Sequence, residues 1–307
     1  MKILVTGGAG FIGSHVVDIY IKAGHQVVVV DNLSTGRLSN LNPKAKLYQL
    51  DIRDPQLRAV FEEEQPQIVN HHAAQIDVRR SVREPDFDAD VNIVGSIKLA
   101  KLAIEFNVKK FINISSGGAV YGEPVYMPCD EEHPIQPVCP YGASKYAFET
   151  YLQLFKITDN LNFTILRYAN VYGPRQDPLG EAGVVAIFTG KMLKDQPVTI
   201  NGTGEQVRDF VFVSDCARAN LIALDKGDGR VYNLGVGKGT TINQIFDELK
   251  TITGYAHKAN YGPAKPGETF KIYLNAQRAK EELGWEPQYT LKEGLEKTVK
   301  FFQSSCG

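Results

Sequence analysis

Apolar, β-branched runs alternate with longer amphipathic segments through the first part of the chain, and this alternation constrains the fold more than any other feature. Strands that are apolar along their whole length, separated by helices, indicate a parallel sheet covered on both faces. The pattern predicts strands over 2–7, 26–31, 46–51, 67–73, 110–116 and 163–169. It predicts helices over 11–23, 55–64, 88–106 and 140–157. The expected fold class is α/β with a doubly wound parallel sheet.

The rhythm of the sequence changes after Pro174. Longer loops containing glycine and proline join helices predicted around 184–194, 214–225, 241–253, 275–283 and 291–302. No linker-like composition separates the two parts, and the segments "FTILRYANVYG" and "RDFVFVSD" are interpreted as crossings between them. We predict a first domain over 1–173 and a smaller mixed α/β lobe over 174–307.

The composition argues against several classes of function. With 34 basic and 35 acidic side chains, the net charge of −1 gives no electrostatic reason to bind nucleic acid or an anionic membrane. The four cysteines are far apart and have no neighbouring histidine cluster, which argues against a disulfide framework or a metal site. The sequence shows neither a signal-peptide pattern nor an apolar run of membrane length. We expect a soluble protein in a reducing, cytoplasmic setting.

The segment "VTGGAGFIGSH" places Gly7, Gly10 and Gly13 directly after the first predicted strand and at the start of the first helix. Glycines at this spacing allow a tight turn, close approach of the backbone to a phosphate, and close helix–strand packing. The start of the helix then offers amide donors and a positive dipole to a pyrophosphate. The motif in this context predicts a Rossmann-type, dinucleotide-binding sheet.

Two aspartates end the next two predicted strands. Asp31 follows "VVVV", where a carboxylate can accept both hydroxyls of the adenine ribose and repel a 2′-phosphate, which favours NAD over NADP. The alternative is that Asp31 only begins a turn. Asp51 ends the third strand and lies near the adenine or caps the following helix. Both interpretations of Asp51 stay open.

The segment "CPYGASKYAFE" places Tyr141 and Lys145 four residues apart, on one face of a predicted helix. A phenol with a pKa near 10 is a poor base at neutral pH, and a neighbouring ammonium group lowers that pKa. Such pairs are common in helices. This one gains weight because it follows the "ISSGGAVYG" strand in a dinucleotide-binding domain.

The motifs TGxxGxxG, "HHAAQ", "SSGGAVYG", YxxxK and "RYANVYGPRQ" together resemble the extended short-chain dehydrogenase/reductase family. Within that family the chain is most similar to the nucleotide-sugar 4-epimerases of the UDP-glucose 4-epimerase type. The similarity runs over essentially the whole chain and includes "GEAGVVAIF", "GTGEQVRDFVFVSD" and "LGWEP".

The resemblance implies an isomerase that holds NAD in 1–173 and a UDP-sugar in 174–307. Tyr141 would take the proton of the sugar 4-hydroxyl while hydride leaves C4, and the transient 4-keto sugar would rotate before hydride returns. The expected reaction interconverts UDP-glucose and UDP-galactose, with the N-acetylated pair as a further substrate. The residues implied to contact NAD are Gly7, Gly10, Phe11, Ile12, Gly13, Asp31, Asn32, Ser34, Thr35, Gly36, Asp51, Ile52, Ala73, Ala74, Gln75, Asn92, Ser115, Tyr141, Lys145 and Tyr168.

The "ISSGGAVYG" strand departs from the family pattern. Relatives usually carry the catalytic Ser or Thr four residues before the tyrosine of Val-Tyr-Gly, and this chain has Gly117 there. We infer that Ser116 supplies the hydroxyl to the 4-oxygen; the alternative is that it only satisfies backbone groups. Relatives that dehydrate or decarboxylate the sugar are expected to carry acidic residues next, whereas Gly118 and Ala119 offer no acid or base. The strand therefore favours epimerisation.

The resemblance implies a substrate site built from Ser116 and Tyr141 together with residues of the second part of the chain. Asn170 and Arg208 would bind the sugar and diphosphate, and Val184 and Thr199 would contact the uridine. Lys265 and Glu268 replace the usual Arg and Asp, so the bidentate fork of arginine is lost at the first position.

Ile272 corresponds to a position where tyrosine restricts some relatives, which favours acceptance of N-acetylated sugars. A uronate substrate is the alternative, since Arg79 and Arg80 could supply a cation, although Asp177 opposes it. A non-catalytic NAD-sensing protein of the same fold is disfavoured, because both Tyr141 and Lys145 are present. Relatives pair through two helices, here 88–106 and 144–158, so a homodimer is expected.

Overall fold

The computed structural model describes residues 1–178, 183–264 and 269–305. Within these ranges the strands are β1 (Lys2–Thr6), β2 (Gln26–Val30), β3 (Lys46–Tyr48), β4 (Ile68–His71), β5 (Lys110–Ser116), β6 (Phe163–Tyr168), β7 (Asn170–Tyr172), β8 (Thr199–Asn201), β9 (Val207–Phe212), β10 (Arg230–Leu234), β11 (Gly239–Thr241) and β12 (Asn260–Gly262). The α-helices are α1 (Phe11–Lys22), α2 (Leu57–Glu64), α3 (Val78–Arg83), α4 (Pro85–Ala89), α5 (Ser96–Glu105), α6 (Gly117–Val120), α7 (Pro140–Asp159), α8 (Val184–Met192), α9 (Val213–Ala223), α10 (Ile242–Thr253) and α11 (Leu291–Ser305). Leu38–Asn40 forms a 3₁₀ turn, and Asp90–Gly95 and Ala279–Leu283 form π-helical turns.

The central sheet has the strand order β3-β2-β1-β4-β5-β6-β10, with every neighbouring pair parallel. This is the doubly wound Rossmann order, and it reverses direction between β1 and β4. The predicted fold class is confirmed. Because the strands are parallel, the ends of β1, β2, β4, β5 and β6 lie at one edge of the sheet, where α/β folds of this kind bind their ligands.

Successive side chains of each central strand point to opposite faces, so the sheet has a core on each side. Ile3 and Val5 of β1 lie in one core, against helix α1 and residues of α9. Leu4 lies in the other core, which α2, α5 and α7 cover. This two-sided burial explains why the strands are apolar along their whole length.

The second half of the chain contributes to both parts of the molecule. Strand β10 extends the central sheet beside β6, and helix α9 packs on α1, where Tyr20 Oη donates to the Asn220 carbonyl over 3.2 Å. Strands β7, β9 and β11 form a separate sheet, and β8 pairs with β12. A third core joins these strands to α8, α10 and α11.

Two predicted helices differ in the structure. The continuous helix expected over 88–106 is α4, a π-helical turn and α5. Within the turn, the Asn92 side chain forms two 2.9 Å hydrogen bonds with the backbone of Gln75. These bonds fix the position of the turn relative to the loop after β4. The helix expected over 275–283 is found from residue 277 onward, and its part Ala279–Leu283 is a π-helical turn. In the described residues no helix is long and apolar enough to cross a membrane.

Candidate active site

The glycine turn after β1 leaves room for a ligand by keeping side chains away. Gly7 has a φ of +68°, and a Cβ atom there would lie 2.7 Å from the Ala73 backbone nitrogen. A Cβ on Gly13 would overlap the carbonyl of Gly7. Helix α1 begins at Phe11, and its N-cap, Gly10, provides no side-chain hydrogen bond. No side chain therefore covers the backbone at the N-terminus of α1, where a pyrophosphate can bind to the free N–H groups.

Asp31 lies beside this turn with 7% of its surface exposed. Its carboxylate accepts hydrogen bonds from the backbone N–H groups of Ala9 at 2.9 Å and Leu33 at 2.8 Å. A Cβ on Gly36 would lie 2.7 Å from the carboxylate, so only glycine allows this loop to close on Asp31. Asp31 does shape a turn, and it also retains acceptor capacity for ribose hydroxyls. These features fit a dinucleotide.

The next predicted contacts lie further along the same rim. The side chains of Asn32, Ser34 and Thr35 are exposed. Asn32 donates to Asp51 over 2.9 Å, and Arg53 binds Asp51 through Nε at 2.8 Å and Nη2 at 2.9 Å. These arginine hydrogen bonds lower the pKa of Asp51 to about 2. Asp51 does not cap α2, whose N-cap is Gln56.

Four of the predicted contacts lie on the side of β4. The Ala73 backbone N–H donates to Thr6 Oγ1 over 3.2 Å, and Ala74 and Gln75 follow. Asn92 donates to Asp88 over 3.1 Å and to Ser144 Oγ over 3.2 Å, which connects this loop to α7. Ile52, by contrast, is buried against Gly95.

The structure brings Ser116, Tyr141 and Lys145 to the same edge of the sheet. Burial raises the pKa of Tyr141 to about 12, and the nearby Ser116 hydroxyl opposes that rise. Lys145 is only 8% exposed; burial lowers its pKa to about 8, against the opposing attraction of Glu149 and Asp88. The phenol needs further positive charge beside it before it can act as a base near neutral pH.

The two glycines after Ser116 have different surroundings. A Cβ on Gly117 would lie 2.5 Å from Cδ1 of the buried Leu274, so a side chain at that position would point into packed core. A Cβ on Gly118 would lie 3.5 Å from Asn170 Oδ1 and 3.9 Å from Ser116 Oγ. The polar groups of Asn170 and Ser116 therefore surround the space that Gly118 leaves open.

A buried polar network behind these residues was not recognised in the sequence. Arg167 contacts both oxygens of Glu149, at 2.6 Å through Nη2 and 3.1 Å through Nε, and donates to Tyr121 Oη over 2.9 Å. Ser115 Oγ, which was expected to contact NAD, donates to Glu149. The available signal was the spacing of Glu149, four residues after Lys145 on the same helix face.

The remaining predicted residues lie farther from this cluster or outside the description. Tyr168 is buried in the core, and its hydroxyl accepts from Asn220, on the side of α1 and α9. Arg208 Nη1 donates to the carbonyls of Val207 and Phe270. Val184 begins α8, Thr199 begins β8, and Thr199 is exposed. Lys265 and Glu268 lie outside the described residues.

Three residues that were considered as determinants of sugar selectivity make other contacts. Ile272 is 2% exposed and belongs to the main core. Arg80 pairs with Glu84 at 2.9 Å, and Arg79 Nε lies 4.0 Å from Asp77.

Asp177 belongs to a segment, residues 174–177, that contacts the first predicted domain at three points. Arg37 pairs with Asp177 at 2.6 Å, Arg175 pairs with Asp18 at 2.7 Å, and His15 Nε2 donates to the Pro174 carbonyl over 2.9 Å. Arg37 also donates its backbone N–H to Ala9 of the glycine turn. Residues 174–177 are thereby held against both the first helix and the loop after Asp31.

Within the described part of the chain, no group of three or more His, Cys, Asp or Glu side chains could hold a metal ion. The cysteines described there, Cys129, Cys139 and Cys216, are free and buried. The site therefore offers hydroxyl, phenol, ammonium and backbone groups to a ligand.

Comparison with known proteins places this geometry among epimerases. Residues 3–235 match the NAD dependent epimerase/dehydratase family. A crystal structure of UDP-glucose 4-epimerase with UDP-glucose from Thermotoga maritima is 52% identical, with a TM-score of 0.99 and coverage of 100% of both chains. The Thermus thermophilus UDP-glucose 4-epimerase complex with NAD is 39% identical, with a TM-score of 0.95 and coverage of 99% of this chain and 100% of that chain. The UDP-glucose 4-epimerase of Mycolicibacterium smegmatis is 42% identical over 310 residues, 99% of each chain.

Proposed function

Because the chain belongs to the NAD-dependent epimerase/dehydratase family, we propose that it is a UDP-sugar 4-epimerase that interconverts UDP-glucose and UDP-galactose with NAD as cofactor. The observation that carries the proposal is that the end of β5 at Ser116 meets the helix that holds Tyr141 and, one turn along, the buried Lys145. These residues lie at the sheet edge that also holds the glycine turn and Asp31. An alcohol bound there would have an acid–base group within reach of its oxygen.

Each residue would have a distinct role in the epimerase reaction. NAD, when bound, supplies a hydride acceptor for C4 of the sugar and a positive charge beside the phenol. Tyr141 takes the proton from the 4-hydroxyl, and Ser116 holds the 4-oxygen. Lys145 stabilises the phenolate through its charge. Inversion would require the 4-keto sugar to turn over in the site, so that C4 regains its hydride on the opposite face while Tyr141 returns the proton to the oxygen.

The strand end favours epimerisation over elimination. Dehydration of the sugar needs an additional acid or base near C5 and C6, and Gly118 and Ala119 carry none. The open space at Gly118, bordered by Asn170, leaves room for a sugar ring. We place the sugar nucleotide between this edge and the lobe of residues 174–307, with Arg208 toward the diphosphate.

The test is to incubate the purified protein with UDP-galactose, without added cofactor, and to measure UDP-glucose by chromatography. We expect product from the wild-type protein and none from the Tyr141→Phe variant. Parallel incubations with UDP-N-acetylglucosamine and UDP-glucuronate rank the three sugar series. Absence of product from all of them, even with added NAD, would refute the proposal.

We also propose a homodimer in a cytoplasmic setting. Helix α7 exposes Tyr151, Leu154 and Ile157, with Ile157 80% exposed, and the neighbouring Val94 is 42% exposed. A second copy of the chain would cover this apolar face through paired helices. Free, buried cysteines agree with a reducing compartment. Light scattering should give the dimer mass for the wild type and the monomer mass for Ile157→Glu; a wild-type monomer would contradict the dimer.

A further inference from the structure

Glu149 is the most deeply enclosed acid near the active site, with no exposed surface. Its carboxylate receives the guanidinium of Arg167 on both oxygens and the hydroxyl of Ser115. Arg167 belongs to β6, Ser115 to β5, and Glu149 to α7, so a single carboxylate connects three elements. Ser115 directly precedes Ser116, whose hydroxyl lowers the pKa of the Tyr141 phenol.

The spacing of α7 places Tyr141, Lys145 and Glu149 at intervals of four residues, which aligns them along one helix face. Lys145 is enclosed between this face and the sheet. The charged or titratable groups that act on it are Glu149 of its own helix, Asp88 of α4, and His71 and His72 at the end of β4. Burial lowers the pKa of both histidines, so they are neutral near pH 7.

Resting on the proposed function, we propose that Glu149 is a positioning residue for the epimerase reaction: it fixes the Ser115–Ser116 strand end to the catalytic helix and keeps the Lys145 side chain protonated in its buried site. Glu149 itself need not touch substrate or cofactor. It acts through Ser115 on the hydroxyl partner of Tyr141, and through its charge on Lys145.

Electrostatics gives this role a definite direction. Burial lowers the pKa of Lys145 to about 8, and the attraction of Glu149 and Asp88 limits that fall. Asp88 Oδ1 already accepts hydrogen bonds from Gln75 and Asn92. Because the attraction of Glu149 is the larger of the two that oppose the fall, we expect removal of its charge to lower the pKa of Lys145 further, so that the ammonium loses its proton at a lower pH. A purely structural role for the Glu149–Arg167 pair predicts no such shift.

The direct test titrates Lys145 in the NAD-free protein. Lysines labelled with ¹³C at Cε are followed by NMR against pH, and the Lys145 signal is assigned by its absence in Lys145→Arg. In Glu149→Gln we expect the midpoint to fall by about one pH unit or more, the usual size of a close opposite-charge effect. In Arg167→Lys, which disturbs the same ion pair but keeps both charges, the midpoint should stay with the wild type.

A second variant covers the risk that Glu149→Gln fails to fold with Arg167 buried and unpaired. The double variant Glu149→Gln/Arg167→Met removes both partners, and its midpoint should lie between those of Glu149→Gln and the wild type, because losing the positive charge of Arg167 offsets part of the effect. If Lys145 has the wild-type titration midpoint in a folded variant that lacks Glu149, the proposal is overturned. An Arg167→Lys protein whose midpoint falls as far as that of Glu149→Gln would also overturn it.

Kinetics tests the consequence for turnover. If Lys145 must be protonated, kcat declines as pH rises through its pKa, and this decline should begin at lower pH in Glu149→Gln with KM little changed. Ser115→Ala, which loses the strand connection but no charge, should lower kcat without moving the decline. Equal pH profiles for Glu149→Gln and Ser115→Ala would overturn the kinetic part. The NMR titration needs no turnover, so its result stands even if the proposed activity is absent.

Discussion

The hydroxyl of Ser116 offers the sharpest test of the active site, because the family pattern inferred from the sequence expects this group one residue later, at Gly117. Ser116→Ala removes the hydroxyl near Tyr141 that is proposed to hold the 4-oxygen, and it leaves the backbone unchanged. A hydrogen bond to a charged partner contributes about 1.5–3 kcal/mol, and about 1.36 kcal/mol corresponds to tenfold in rate. We therefore expect kcat with saturating UDP-galactose to fall roughly 10- to 150-fold. NAD content and melting temperature should stay at wild-type values.

A second substitution asks whether the hydroxyl can simply move. In Ser116→Ala/Gly117→Ser the new Cβ would lie 2.5 Å from Leu274 Cδ1 and 3.4 Å from the Tyr168 carbonyl, against packed core. Activity should stay at the Ser116→Ala level. Overpacking of about 1–3 kcal/mol should also lower the melting temperature by several degrees. Gly118→Ala, whose Cβ meets ordinary contacts, is the stability control. Recovery of kcat in the double variant, or more than half of wild-type kcat in Ser116→Ala, would refute the assignment.

Three further predictions concern the catalytic base and the cofactor. Tyr141→Phe should retain NAD and fold while kcat falls at least about 100-fold, since general acid–base catalysis contributes factors of that order or more; a smaller loss would remove Tyr141 as the base. Gly13→Ala should purify with little NAD because its Cβ overlaps the Gly7 carbonyl. Gly10→Ala should retain more NAD, because its Cβ would lie 3.2 Å from the Gly7 carbonyl oxygen. Equal NAD content in the two variants would contradict the packing argument. Arg37→Ala should release NAD up to about fivefold faster, because an exposed ion pair contributes at most about 1 kcal/mol. The charge reversal Arg37→Asp/Asp177→Arg should restore the slow release. If Arg37→Ala releases NAD at the wild-type rate, the ion pair does not close the site.

The residue pattern was sufficient for the fold class, because strands buried on both faces must be apolar throughout. Strand positions were predicted closely: 110–116 agrees with Lys110–Ser116, and 26–31 with Gln26–Val30. The helix over 88–106 was predicted as continuous, yet Asn92 hydrogen-bonds the loop at Gln75 within a π-helical turn. Such an interruption depends on a partner distant in sequence, which local periodicity does not contain.

Strand β10 is a second feature that local sequence patterns do not predict. The segment Arg230–Leu234 is short and lies far along the chain, and its pairing with β6 follows from packing of the whole sheet. Tyr168 was expected at the cofactor from its motif, but the alternation of side chains along β6 turns its hydroxyl toward Asn220 in the core. A motif gives the position of a residue in the chain, and the pleat of the strand decides which face the side chain takes.

The sequence by itself determined the parallel sheet, the glycine turn with Asp31, and the pairing of Tyr141 with Lys145, because each depends on short-range spacing within one strand, turn or helix. Tertiary structure alone decided that Ser116 meets Tyr141, that Gly117 faces Leu274, and that Ser115 donates to Glu149. These contacts join β5 to α7 and to the segment that carries Leu274, across about 25 to 160 residues of chain. Their geometry exists only once the sheet and its covering helices have packed.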